Sequence, residues 1–209
     1  MDVLLSFLLA FFFSFVGSIP PGTLNLTIIQ LGLENRVDVA WRFAFAAALV
    51  EYPYAWLAVK FEALISSSPV ITNNIELIAS IVMILLGVFN LWSPKKRSGV
   101  VEGFDKSGFK RGIVLGMLNP LALPFWVAIT TYLKGLQWID LSSHLEIHSY
   151  LFGVSLGAFI LLIVLAALAK RIATRFKDNP IIKKMPGIML LALGFYALFE
   201  YVLNTFGFQ

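Results

Sequence analysis

GSIPPGTLNLT, Gly17 to Thr27, is the stretch whose reading decides the fold. It lies inside an apolar run that begins near Val3 and meets no charge until Glu34. A straight helix of about 31 residues would reach roughly 46 Å, far beyond a hydrocarbon core of about 30 Å. The run is therefore too long for one straight span, and it breaks where Pro20, Pro21 and Gly22 stand together. Proline removes a backbone donor and clashes with the preceding turn, and glycine loosens the backbone further. A break within lipid leaves polar backbone groups unpaired, which is tolerated only inside protein or beside a water-filled cavity. Ser14, Ser18, Thr23, Asn25, Thr27 and Gln30 surround this break and suit such a place. It reads as one half of a binding site.

Composition supplies the bilayer. The chain has 209 residues, 59% hydrophobic and 13% charged, with a mean hydropathy of +0.85. Soluble domains carry about 25% charged residues, so this composition defines an integral membrane protein with no room for a separate soluble domain. The net charge of +4 and pI near 9.4 are explained by basic loops on the cytoplasmic side of the lipid bilayer, not by a nucleic-acid partner. With no cysteine, disulfides, thiolate metal ligands and dithiol relays are excluded. The amino-terminal run lacks a basic n-region and a small-x-small cleavage site, so it is expected to be retained. No Walker loop, nucleophile elbow or paired-acid hydrolase motif is present, so neither an enzyme nor a cofactor is expected.

Six apolar segments can be drawn, at 3–33 (broken), 40–59, 75–92, 112–133, 150–169 and 186–206. Each is near the length a helical span needs. The loop 93–111 carries Lys95, Lys96, Arg97, Lys106, Lys110 and Arg111, and the loop 170–185 carries Lys170, Arg171, Arg175, Lys177, Lys183 and Lys184. Between spans 1 and 2 stand Arg36 and Arg42, whereas 134–149 has only Lys134 and 61–74 has no basic residue. The positive-inside rule places the three basic loops in the cytoplasm and both termini outside.

A second break is expected in span 4, at GMLNPLALPFW, Gly116 to Trp126, where Asn119-Pro120 and then Pro124 interrupt the helix. Gly17 and Pro21 recur at the same spacing as Gly116 and Pro120. Leu86-Gly87 of span 3 recurs as Leu193-Gly194 of span 6, and Ala44 and Ala48 of span 2 stand where span 5 has Gly153 and Gly157. Three spans per half make the second half inverted relative to the first. The expected fold is all-α, with six transmembrane helices in two inverted three-helix repeats, 1–92 and 112–209, joined by the basic loop 93–111. Inverted repeats with paired broken helices point to a secondary transporter whose site lies near the midplane. Pro53 also stands in span 2, where a simple kink accounts for it.

Glu51 lies near the centre of span 2, where a charge costs about 2.5–3.5 kcal/mol on insertion scales. It must face the interior, and there it is protonated or partnered. It is the candidate proton carrier or amine ligand; the alternative is a structural hydrogen bond, to Tyr52 or an asparagine of another helix. Glu200, toward the outer side of span 6, is the second candidate for proton coupling, although it could simply reach water. Tyr52, Tyr54, Trp56, Asn90, Trp126 and Tyr132 could line a cavity or pack against lipid. Gly153 and Gly157 form a GxxxG pair, used within the subunit or in a homodimer. His144, Glu146 and His148 make an HxExH string in the outer loop; it could hold zinc, but a solvated loop without a metal is the commoner meaning.

IPPGTLN (Ile19 to Asn25), GMLNPLALPFW and the two Leu-Gly signatures together resemble the LysE superfamily of amino-acid exporters, in an order and spacing that cover nearly the whole chain. The resemblance implies six spans and proton-driven export of basic or neutral amino acids from the bacterial cytoplasm across the inner membrane. It puts the proline-glycine motif on Pro21 and Gly22, with Asn25 following, and the asparagine-proline motif on Asn119 and Pro120. The chain diverges where Thr23 replaces a second proline, where Leu121 replaces a lysine, and where Ala44, Ala47 and Ala48 replace glycines. The substrate-binding set expected is Pro20, Pro21, Gly22, Thr23, Asn25, Asn119, Pro120 and Glu51, with Glu51 and Glu200 coupling protons. Two rival readings remain open: a metal-cation exporter, which needs several convergent acids or histidines, and a non-transporting assembly factor, which needs a packed midplane.

Overall fold

The computed structural model describes residues 3–20, 22–67, 75–92, 107–119 and 122–171, and residues 188, 191–192, 194–196, 198–199 and 201–203. Its regular structure there is helical throughout. The helices are α1 (Val3–Gly17), α2 (Thr23–Leu33), α3 (Val37–Ser67), α4 (Ile75–Trp92), α5 (Gly108–Met117), α6 (Ala122–Gly135) and α7 (His144–Ala167). A further apolar helix covers Gly194–Leu203.

The distribution of side chains inverts the pattern of a soluble core. Buried positions on α1 are Ser6, Ala10 and Ser14, while Leu8 and Phe12 of the same helix are 50% and 57% exposed. On α3, Ala40, Ala44, Ala47, Ala55 and Ala58 are buried, and Phe45, Trp56 and Phe61 face outward. Lipid is as apolar as leucine, so helices in a bilayer associate through small residues that let backbones approach. The glycines show that approach directly. A Cβ at Gly153 would strike the Phe7 carbonyl, and one at Gly157 would lie 2.7 Å from Ser14 Cβ. A Cβ at Gly108 would strike the Val39 carbonyl, and one at Gly112 would lie 2.8 Å from Ala46 Cβ. Gly194 meets α4 in the same way, at Ser80 and Ile84.

These contacts also set directions. Numbers rise together along α1 and α7, so those helices are parallel; the same holds for α5 and α3. Helices α3 and α7 run opposite ways, since Trp41 and Phe45 meet Phe159 while Tyr52 meets His148. Consequently α1 and α5, the helices entering the two breaks, point in opposite directions. The helices leaving the breaks end alike. After α2, Asn35 adopts φ 54° and the Arg36 N–H donates to Leu31 O at 3.0 Å. After α6, Gln137 adopts φ 57° and the Trp138 N–H donates to Leu133 O at 3.0 Å. Both are left-handed helix caps that satisfy terminal carbonyls.

Several expected boundaries move. Helix α3 has 31 residues and runs through what was read as an outer loop, carrying Lys60 and Glu62 with it. Helix α7 starts at His144, because Ser143 and Glu146 close a capping box. The HxExH string is therefore on a helix and not in a loop. Pro124 does not interrupt span 4; it falls in the first turn of α6, where no intrahelical donor is lost. Helix α7 is by itself long and apolar enough to cross a membrane, and α5 with α6 makes a further crossing if taken as one bent span. The breaks divide the other apolar runs into helices of 15 and 11 residues, and α3 carries five charges along its length. The basic stretches 93–106 and 172–187, and with them most of two of the three loops assigned to the cytoplasm, lie outside the described residues.

Candidate functional site

The first break runs from Gly17 to Gly22. The Ser18 and Ile19 amides still donate backward, to Ser14 O at 3.0 Å and Val16 O at 3.1 Å. The carbonyls of Ser18, Ile19 and Pro20 have lost their helical donors. The buried Asn25 side chain replaces them, donating Nδ2 to Ser18 O at 2.7 Å, Pro20 O at 3.0 Å and Ile19 O at 3.4 Å. Asn25 thus closes its own break. Gly22 begins α2 with φ −103°, which any residue can adopt, and no side chain caps the helix there. Nothing would lie within 4 Å of a Cβ at Gly22, so the amino end of α2 opens on free space. Thr23 is exposed beside it. Of the other polar residues around this break, Ser14 donates to Val154 O at 2.6 Å, and Gln30 donates to Glu34 at 2.9 Å.

The second break separates α5 from α6, whose axes differ by 65°. The Leu118 N–H donates to Val114 O and the Asn119 N–H to Gly116 O, both at 3.0 Å. Here the freed carbonyl is taken by another helix: the Tyr54 hydroxyl of α3 donates to Met117 O at 2.7 Å. Beside that bond on α3, Val50 lies against Gly116. Glu51 accepts the indole N–H of Trp126 from α6, Nε1 to Oε2, at 2.9 Å. Neighbouring residues of α3 thus hold both sides of the break. Trp126 is 2% exposed and Glu51 is half-buried. The partner of Glu51 is therefore neither Tyr52 nor an asparagine.

The two breaks are adjacent. The ring of Phe125, next to Trp126, lies against Gly17, where a Cβ would overlap it. Gly17, Met117, Phe125, Trp126, Glu51 and Tyr54 are brought together, while the Asn25 amide is turned to the carbonyls of its own break. Pro21, Pro120 and Glu200 lie outside the described residues, as does the side chain of Asn90.

The remaining candidates separate by what they touch. Glu146 is absorbed by the capping box, and His148 Nδ1 is 2.6 Å from the Tyr52 hydroxyl. Among the described residues no three His, Cys, Asp or Glu side chains gather to hold a metal. Gly153 and Gly157 pack on α1 within the subunit. Tyr132 and Trp56 face outward, and Lys60 stacks on Trp56 at 5.7 Å. One pair was not foreseen from sequence. Glu62, 3% exposed, meets Lys134 at 2.5 Å, tying α3 to the end of α6. The apolar cluster of Ala55, Ala58, Trp126, Leu133, Tyr150 and Val154 seals this end of the bundle.

A helical bundle with two adjacent interruptions and an acid beside one of them is the arrangement expected of a membrane transporter, and the chain belongs to the LysE type translocator family, whose model matches residues 15–201. It is a membrane transport protein and not an enzyme. It is 29% identical over 157 residues, 67% of this chain and 74% of the relative, to the leucine efflux protein of Enterobacter sp. (strain 638). No solved structure matches the chain.

Proposed function

We propose that the protein exports a neutral amino acid of the leucine class across the bacterial inner membrane, exchanging it for protons by alternating access. The observation that carries this reading is Glu51, half-buried beside the second break, bonded to Trp126 and, among the described residues, without a cationic partner. In this reading Glu51 takes the α-ammonium group of the substrate on one half-cycle and a proton on the other. The substrate carboxylate meets the uncapped amino end of α2 across the open space at Gly22, where unpaired amides and the helix dipole favour an anion. Thr23 and Asn119 supply side-chain hydrogen bonds. Apolar neighbours such as Leu123 and Phe125 suit an aliphatic side chain. Of the acids on α3 and α7 other than Glu51, Glu62 and Glu146 are engaged by Lys134 and Ser143, which favours a neutral over a basic side chain. The name of the Enterobacter relative supports the same substrate class.

Two inverted repeats remain part of the proposal. They are supported by the opposed directions of α1 and α5 and by the matching caps after α2 and α6. The pairing of α1 with α7 and of α5 with α3 adds to this, since each entering helix packs on the middle helix of the other half. Both termini are placed outside, with the basic loops in the cytoplasm.

The test is a deletion strain fed dipeptides that each release one amino acid inside the cell. Leucine-containing dipeptides should arrest its growth, and the plasmid-borne gene should relieve the arrest. Arrest by lysine dipeptides alone, or by divalent metals, would contradict the substrate class.

A further inference from the structure

A buried indole N–H needs an acceptor, because leaving it unpaired costs the full desolvation of a polar group. Trp126 is 2% exposed, so water does not compete for it, and its acceptor is Glu51 Oε2 at 2.9 Å. The indole is itself fixed. Phe125 meets it edge-on with centroids 5.0 Å apart, and Tyr150 meets it edge-on at 6.2 Å. Tyr150 is fully buried and held in turn by Thr130, oxygen to oxygen 3.0 Å. Two hydrogen bonds and the ring contact between Tyr150 and Trp126 thus run from Thr130 to the carboxyl group of Glu51. Only one carboxyl oxygen is used. Among the described residues, no donor meets Oε1.

We infer that Trp126 is a positioning residue for transport: its indole N–H fixes the rotamer of Glu51 so that Oε1 is presented to the substrate ammonium group. The inference rests on the reading of Glu51 as the amine ligand. A glutamate side chain has three rotatable bonds and, unheld, would spread over many rotamers. A hydrogen bond to one oxygen removes that freedom before substrate arrives, so less ordering is left for binding. Trp126 also sits in the second turn of α6, directly after the break.

The experiment is calorimetric binding of L-leucine to the purified full chain in detergent, with thermal unfolding measured on the same samples. Trp126→Phe keeps an aromatic ring and loses the N–H; it should raise Kd about tenfold, the scale of one hydrogen bond to a charged group, with a modest fall in the unfolding midpoint from the smaller ring. Trp126→Leu also removes the N–H and should weaken binding at least as much, which keeps the test decisive if Trp126→Phe fails to fold. In a Glu51→Gln background, Trp126→Phe should add less than twofold, because its effect runs through Glu51. Wild-type Kd in Trp126→Phe, or in Trp126→Leu if only that folds, with a weakened Glu51→Gln, would overturn the positioning role and leave the function standing. Wild-type binding in Glu51→Gln would remove Glu51 from the site and the inference with it.

Discussion

Asn25 shows how a residue chosen for one task can be occupied by another. Its type and its place after a proline-glycine pair mark it as a ligand, and that much is visible in the sequence. What spacing does not reveal is that the chain folds back so that one amide reaches the carbonyls of Ser18, Ile19 and Pro20. Asn25→Ala should therefore behave as a stability variant, costing about 1–3 kcal/mol through carbonyls left unpaired. Asn25→Asp should cost more, since it sets a carboxylate against three carbonyl oxygens. Thermal unfolding in detergent checks both, and an unchanged midpoint in Asn25→Ala would show that water already serves those carbonyls. Glu51 was legible as an isolated charge in an apolar run. Its partner was not, because Trp126 is 75 residues away and resembles any other aromatic residue of a membrane helix.

At the scale of elements, the interruptions were readable because proline and glycine act locally. Helix ends governed by side chains are harder to read: the capping box at Ser143 is present as Ser-x-x-Glu, yet the apolar pattern starts later, so hydropathy alone begins α7 at 150 and not at His144. Helix α3 was cut short because hydropathy falls at Lys60 and Glu62, whereas the Glu62–Lys134 pair and the apolar cluster around Ala58 hold it together. Close helix approach makes a testable contrast between glycines. At Gly112 a Cβ meets the Phe43 carbonyl and Ala46 Cβ, backbone and short side chain that cannot step aside. Gly112→Ala should destabilise by about 1–3 kcal/mol. At Gly135 nothing lies within 4 Å, and Gly135→Ala should be neutral or stabilising by up to about 1 kcal/mol through helix propensity. Equal unfolding midpoints for the two variants would contradict the packing of α5 on α3. The contact between breaks can be tested similarly. Gly17→Cys with Phe125→Cys, in a chain that has no cysteine of its own, should be joined by a short bis-methanethiosulfonate linker, which forms a disulfide with each thiol and releases methanesulfinate. Transport should stop when the bridge forms and return on reduction; a bridged protein that still transports would make this contact static.

For the whole molecule, composition and charge sufficed to place the chain in a membrane, and the recurrence of Gly17–Pro21 as Gly116–Pro120 pointed to two halves. The matched caps at Asn35 and Gln137 and the opposed helices α1 and α5, on which the proposal of two halves leans, have no sequence signature, because they depend on φ angles and on contacts between distant segments. The account places substrate and proton on one carboxyl group, so neither flux should proceed without it. The most direct measurement follows both in the same proteoliposomes, with a pH gradient imposed, labelled leucine inside and a pH dye reporting protons. Wild-type protein should release leucine and take up protons together, each flux depending on the other. Glu51→Gln, folded and inserted to the same extent, should show neither coupled flux. Leucine-driven proton movement at the wild-type rate in Glu51→Gln would contradict the account.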